Sequence, residues 1–455
     1  MVSYLQQIQS LFRNKVLNAV GVERDFFQLL KDGDVDKAIE MMQDRSEDVD
    51  EAIRQYHPET HDVMNRRDKL RKNSNPYEVE KLPRARQRYI NEVELFFLMG
   101  TPPEYRKKNG GDDEYELFKS FGKEVRLNSL HRQWKRIAGA ETEAAIVYHL
   151  YNENSAIVCK AFVAARSAGY DIRPLFDQYG NMLAFAYGYK INRGGKSVQR
   201  WEILTPDFNF ECEKTNMGWK VIPRENITGK INAIYACQPT AWAGAERRID
   251  REEMIDSKTA DTNNYFADPV AYATADVVSL MGDAKDKVGK LLQFTDKNSQ
   301  FGYINPPNDS ATRQEEKSNL AKSILFDTFT PDLSYDSIKG MGSLSGEALQ
   351  NALVLGFIKA DNRKEIYGEL LDREVNVIKG ILKIQHPGKD FDSLDVEVVF
   401  KSPFANQEID RWSAILNLYK GGLVSLEQAV EMLALTDAPQ EEIDKIAGSV
   451  KKVSE

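Results

Sequence analysis

Two histidines four residues apart, His57 and His61 in "HPETH", have the spacing with which one face of a helix holds zinc. The zinc-protease pattern needs its glutamate directly after the first histidine. Here Pro58 follows and the acid is Glu59, with the proline where a helix interior is required. "RGGKS" (Arg193 to Ser197) resembles the tail of a phosphate-binding loop, but that loop's first glycine would fall on Lys190. The stretch lies between two strand-like runs, so a hairpin turn is expected. "DFDSLDVE" spaces acids like a calcium loop, yet has no glycine at the sixth position and no glutamate at the twelfth. His131, His149 and His386 are isolated and read as structural. No nucleophile–base pair can be proposed, so the expectation is a chain that is not an enzyme and uses no metal or cofactor.

Composition narrows the classes further. With 42% hydrophobic and 29% charged residues over 455 positions, the chain suits a globular protein of more than one domain. Its 61 basic and 70 acidic residues leave a net charge of -9, without the basic excess that grips nucleic acid electrostatically. Cys159, Cys212 and Cys237 give no disulfide framework and fit a reducing compartment. "MVSYLQQIQSLFRNKV" lacks the apolar core of a signal peptide, and no apolar run approaches the roughly 18 residues of a membrane span, so a soluble, intracellular protein is expected.

The elements follow from periodicity. "DVDKAIEMMQD", "EDVDEAIRQYH" and "RQRYINEVELFFLMGTPP" have helical spacing, the last stopped by Gly100 and Pro102-Pro103; "RKKNGGDDEYE" reads as a polar loop. From about 155 to 238, runs such as "MLAFAYGYKI", "VQRWEIL", "WKVIP" and "INAIYACQP" read as a mostly antiparallel sheet. Next comes a very polar helix, in which seven of the eight residues from Glu246 to Glu253 are charged. Arg248 and Glu252 stand at i,i+4 and can pair. Such a helix is expected to bury little against its own chain; it is either an exposed surface helix or one packed between copies of itself. Residues 263–311 are loop-rich. "TRQEEKSNLAKSILFDTF" is a helix with Thr312 and Glu315 as capping box, ended by Pro331. Past "KGMGSLSGEAL", a long helix from about Ser345 to Leu382 is interrupted by Gly356, Gly368 and Gly380, and the strand "DVEVVFK" follows. Ser425 and Gln428 form a capping box in the closing helical module.

This order of segments resembles the portal (connector) proteins of tailed double-stranded DNA bacteriophages, the long-tailed branch in particular. "RQRYINEVELFFLMGTPP", "TPDLSYDSIKGMGSLSGEALQNAL", "IKADNRKEIYGELLDREVNVI" and "FKSPFANQEIDRWSAILNLYKGGLVSLEQAVEMLALTDAPQEEIDKI" carry the resemblance, which covers about 85 to 450. It implies an α+β, ring-forming portal fold. Residues 1–238 would hold N-terminal helices and an α/β wing, 239–262 and 312–330 two stem helices, and 263–311 a small α/β clip. A tunnel loop at 331–345, a long helix at 346–382, a wing strand at 383–402 and a helical crown at 403–455 would complete it.

The resemblance also implies the partners and the residues that meet them. A ring, usually of twelve subunits, would sit at one capsid vertex of the virion after assembly in the host cytoplasm. Double-stranded DNA would pass through it, driven in by the terminase, and no membrane is involved. Further partners would be a head-completion adaptor and the major capsid protein; whether residues 1–80 meet scaffold or capsid is left open. Asp332, Tyr335, Asp336, Ser337, Ile338, Lys339, Gly340, Met341, Gly342 and Ser343 would line the channel, with Ser345, Gly346 and Glu347 starting the helix behind them. Trp242, Arg248 and Glu252 would meet the neighbouring stem, and Asp283, Lys285, Lys287 and Lys290 would belong to the clip. One cation against two anions in the loop is too little to anchor a duplex, as a conduit requires. The alternatives are another head or neck structural protein, or a nuclease or motor subunit, which ATPase and nuclease assays would separate.

Overall fold

The computed structural model describes residues 19–70, 76–154, 156–267, 271–273, 277–281, 291–294, 301–303, 310–335, 337, 339, 353–403, 415–433 and 443. In chain order the helices are α1 (Ala19–Asp32), α2 (Val35–Met41), α3 (Ser46–Tyr56), α4 (Arg86–Met99), α5 (Asp112–Glu124), α6 (Leu127–Glu141), α7 (Glu246–Ala267), α8 (Ser310–Asp327), α9 (Val354–Gln385) and α10 (Leu426–Leu433). The strands are β1 (Lys69–Leu70), β2 (Pro76–Tyr77), β3 (Glu104–Asn109), β4 (Glu143–Glu153), β5 (Ala156–Ala164), β6 (Asp171–Phe176), β7 (Met182–Arg193), β8 (Lys196–Leu204), β9 (Phe208–Thr215), β10 (Gly218–Glu225), β11 (Ala233–Cys237), β12 (Ala271–Ala273), β13 (Val277–Met281), β14 (Leu291–Phe294), β15 (Phe301–Tyr303) and β16 (Asp395–Val399). They divide between a first unit (Met1–Ile53, Gln87–Trp242, Phe329–Glu455) and a second (Arg54–Arg86, Ala243–Thr328).

The first unit is layered around two antiparallel sheets, one of order β10-β9-β8-β7-β6 and one of order β11-β4-β5. Ala145, Val147 and Ala164 of the smaller sheet pack on Phe185, Tyr187 and Leu204 of the larger. The larger sheet's other face, through Ala184, Ala186, Trp201 and Ile203, receives Phe26 and Leu30 of α1 with Val35 and Ala38 of α2. The smaller sheet's other face, through Ala144, Ile146 and Tyr148, joins the main core with Trp134 of α6 and Tyr367, Leu371 and Ile378 of α9. The strand start of β4 is thus apolar on both faces, which erases the alternation that marks a half-buried strand. That is why the sheet begins at Glu143 rather than near 155, where the sequence rhythm changes.

Other expectations are met or corrected locally. "RGGKS" is a hairpin turn: Arg193 pairs with Lys196, and Gly194 and Gly195 have φ of 58° and 78°, the left-handed pair of a type I′ turn. In "DFDSLDVE" Asp390 serves a turn, its carboxylate accepting the Asp392 amide at 3.0 Å, while Asp395 and Glu397 lie in β16. The Ser425 hydroxyl caps α10 by accepting the Gln428 amide at 3.2 Å. The polar "loop" after Pro103 is instead strand β3 followed by α5. Its charged residues become a strand because β16 pairs with it, Val398 opposite Tyr105. Helix α8 begins at Ser310, so Thr312 lies within its first turn and is not its cap.

Buried polar groups pin the first unit. Glu374 of α9 accepts hydrogen bonds from the hydroxyls of Tyr148 at 2.6 Å and Tyr105 at 3.1 Å, with His131 Nε2 at 2.6 Å. Glu143 accepts the Tyr235 hydroxyl at 2.6 Å. Burial pushes the Glu143 carboxyl up to about 7, against the opposing pull of Tyr235 and Arg45. The unfolded chain releases this proton near the ordinary 4.5, whereas the folded one keeps it to about 7, so the group's contribution to stability falls as pH rises between those values. Glu143→Gln is expected to remove about 3 kcal/mol of that fall. Parallel pH–melting curves for wild type and variant across this window would contradict the assignment.

In the second unit, α7 and α8 pair antiparallel. Arg248 meets Asp327, Arg251 meets Glu316 at 2.8 Å, and Lys317 meets Asp256 at 2.7 Å. The expectation that α7 buries little is corrected here. Ile249, Glu252, Glu253, Ile255, Ser257 and Asp261 are all buried. The reason is the extended segment 80–84, which runs along the helix. The amide of Glu80 donates to Asp261 at 2.7 Å, that of Leu82 to Ser257 at 2.9 Å, and that of Arg84 to Glu253 at 2.7 Å. Two residues of extended chain advance roughly 6.6 Å and four of a helix roughly 6 Å, so alternate amides match polar side chains at i,i+4. The polar face of α7 is therefore a row of acceptors for the main chain of an extended segment.

Candidate functional site

The residues expected to line a channel begin where the chain leaves the first unit's core. Thr330 and Pro331 are buried, while Asp332 and Ser334 are exposed and Tyr335 is 77% exposed. The turn is held by Asp332, whose carboxylate accepts the Ser334 amide and the Ser337 hydroxyl, each at 2.9 Å. The Tyr89 hydroxyl of α4 donates to the Pro331 carbonyl and accepts the Leu333 amide, both at 2.8 Å. Lys339 is exposed. Asp336, Ile338, Gly340, Met341, Gly342, Ser343, Ser345, Gly346 and Glu347 lie outside the described residues, as do Asp283, Lys285, Lys287 and Lys290.

The chain returns to described structure at the start of α9. Gly356 lies against the Phe97 ring, where a Cβ would come within 2.6 Å of ring carbons, so only glycine fits. Phe357 meets the same ring edge-on at 5.2 Å. One turn on stands a charge cluster that the sequence did not announce. Fully buried Glu94 of α4 pairs with Lys135 of α6, with Arg363 Nε at 3.0 Å and with Lys359 Nζ at 3.5 Å. Lys359 also donates to the Ala241 carbonyl at 2.9 Å and to the Thr330 hydroxyl at 3.3 Å. Burial alone would raise the Glu94 carboxyl; the charges of Arg363, Lys135 and Lys359 overcome it and hold the group well below the usual carboxylate range. Burial, with repulsion from Arg363 and Lys135, brings Lys359 down to about 8 despite Glu94.

The three residues expected to meet a neighbouring stem do not act together. Trp242 lies in the first unit and is fully buried there. Glu252 is fully buried in the second unit, where Arg86 grips it with two bonds of 2.8 and 3.0 Å and Arg84 lies at 3.4 Å. Arg248 and Glu252 therefore do not pair with each other. Of the three, Arg248 alone is exposed, its side chain 45% open beside Asp327. Sequence reasoning gave no role to Arg84 or Arg86, although Arg86 opens the helix that it did read.

His61 of "HPETH" is not a ligand poised for metal. Its Nδ1 lies 2.7 Å from the Glu253 carboxylate and its Nε2 2.7 Å from the Gln55 carbonyl. Two acceptors on one ring call for the doubly protonated form. Burial alone would lower its pKa, but the bond to and charge of Glu253, with the Gln55 carbonyl and the charge of Asp250, together outweigh it and the pKa is raised. Among the described residues, no group of three or more His, Cys, Asp or Glu side chains converges as a metal site, and no helix is long and apolar enough to cross a membrane.

Comparison with known proteins places this architecture. No curated protein sequence matches the chain. Among solved structures, a chain from the neck of the native gene transfer agent (GTA) particle, computed with C12 symmetry, covers 77% of this chain and 91% of its own at 11% identity and a TM-score of 0.45. One from the neck of the empty particle, computed with C6 symmetry, covers 87% and 95% at 10% identity and a TM-score of 0.47. The sequence itself matches the phage portal proteins described as SPP1 Gp6-like over residues 36–453, beginning well before the stretch on which the segment order rests. The chain belongs to that family of phage portal proteins.

Proposed function

We propose that this portal protein forms a ring of about twelve subunits at one capsid vertex of the virion, through which the terminase drives double-stranded DNA in and from which it later leaves. The observation that carries the reading is the family match over residues 36–453. Consistent with it, the candidate channel segment leaves a buried root at Thr330 and Pro331, and Asp332, Ser334, Tyr335 and Lys339 beyond it are exposed. Residues 239–262 and 312–330, built on α7 and α8, would serve as the stem, and 263–311 as the clip facing terminase and adaptor. The exposed side of α7, with Arg247, Arg248, Arg251 and Lys258, is the surface left for a neighbouring stem once Glu252 and Glu253 are sealed inside. The net charge of -9 per subunit sums over a ring to a body that repels phosphates, which suits a conduit that must not hold its cargo. No catalytic step is proposed for the chain.

Negative-stain imaging of the purified protein tests the reading directly. Rings of twelve or thirteen subunits with a central hole are expected; compact particles without a hole would overturn it. Lys339→Ala is expected to leave ring assembly intact and to alter the rate or extent of DNA packaging. Loss of rings in that variant would remove the segment from the channel.

A further inference from the structure

The described chain on either side of the segment expected to line the channel is tied to a single helix, α4. At the upstream root, one hydroxyl, that of Tyr89, brackets Asp332 by bonding the carbonyl before it and the amide after it, each at 2.8 Å. This is also the line at which the chain passes from buried Pro331 to exposed Asp332. At the downstream root, the same helix supplies Glu94 to Lys359 and Arg363, and Phe97 to Gly356 and Phe357. Lys359 closes the circuit: it stands on the downstream helix, and its ammonium reaches Thr330 of the upstream root at 3.3 Å.

We propose that Tyr89 is a positioning residue for the channel loop, its hydroxyl fixing the upstream root to α4 while Lys359 joins that root to the downstream helix, so that the loop departs from a fixed point. The proposal rests on the channel reading above for its functional side, and on the geometry alone for the clamp itself. Tyrosine is suited to the post because its hydroxyl donates and accepts at once, and here it does both to the backbone. Phenylalanine keeps the ring in place and leaves the Pro331 carbonyl and Leu333 amide without these bonds. A merely structural tyrosine would move global stability; a positioning one moves the local opening of 330–335 and the passage of DNA.

The experiment is hydrogen exchange by mass spectrometry on assembled, full-length Tyr89→Phe, with peptides covering 330–335 as readout and 395–399 as internal control. Exchange at 330–335 is expected to quicken about fivefold or more, the equivalent of one lost hydrogen bond, with the control peptide and melting temperature unchanged. Thr330→Val, which removes the hydroxyl that Lys359 reaches, is expected to give a smaller gain at the same peptides. No gain in either variant overturns the clamp. A phage carrying Tyr89→Phe is expected to package at an altered rate or to an altered length. Faster local exchange with unchanged packaging overturns the role in DNA passage while leaving the clamp standing. Failure of the channel reading would show separately, as wild-type protein that forms no holed ring.

Discussion

Glu94→Gln is expected to lower the melting temperature by about 6 °C or more, the consequence of losing roughly 3–5 kcal/mol from the first unit. The carboxylate pairs with three buried cations at once, Lys135, Lys359 and Arg363. Glutamine keeps the shape and much of the hydrogen bonding but removes the negative charge those cations share where water cannot reach them. The cluster can relieve itself only by shedding protons. Lys359, already down to about 8, is the first to do so. The variant's deficit is therefore expected to shrink as pH rises from neutrality through that value, because the folded state loses a proton that the unfolded state still holds. In the wild type the acid side has the opposite sense. Glu94 stays ionised below the ordinary carboxylate range, so its stabilisation is present above that range and is lost as pH falls beneath it. Lys359→Met is expected to cost much less than Glu94→Gln, since it removes one of three like charges. Equal melting temperatures for Glu94→Gln and wild type would show that the cluster is solvated and not buried.

The cluster also marks what could be read from the sequence. The α+β class, the strand runs from Met182 onward, the hairpin at Gly194-Gly195 and the Ser425 cap all follow from periodicity and turn chemistry, which are local. The order of segments was enough to indicate the portal family. What escaped depends on partners distant in sequence. Lys359 and Arg363 continue the spacing of Tyr367 and Leu371, four residues apart along α9, and Glu94 sits between Val93 and Leu95 in an otherwise apolar run. A charged residue on an apolar stripe is a signal, but it names no partner. Strand β3 has no pattern of its own and exists because β16 lies beside it. The face of α7 read as waiting for another subunit is covered by residues 80–84, whose main chain leaves no hydrophobic trace in the sequence. Charge counting alone could not distinguish a helix sealed by its own chain from one sealed by a neighbour.

That distinction leads to the sharpest contrast among variants. Glu252→Arg is expected to unfold the second unit, with a loss on the order of 5 kcal/mol, because it sets a third arginine against Arg84 and Arg86 at a position that is itself fully buried. Arg248→Glu is expected to cost the subunit at most about 1 kcal/mol, since its pair with Asp327 is open to solvent and screened by salt. If the exposed side of α7 meets a neighbouring stem, the Arg248 change appears instead as smaller or fewer rings by native mass spectrometry. The Glu252 change appears before assembly, as rapid proteolysis and exchange across 54–86 and 246–264 in the free subunit. Adding Arg86→Glu to Glu252→Arg restores an opposite-charge pair at the same place and is expected to recover part of the loss, a coupling that independent sites would not show. If Glu252→Arg melts like Arg248→Glu, the carboxylate is not held by Arg84 and Arg86 within the subunit, and the zipper of 80–84 along α7 loses its central support.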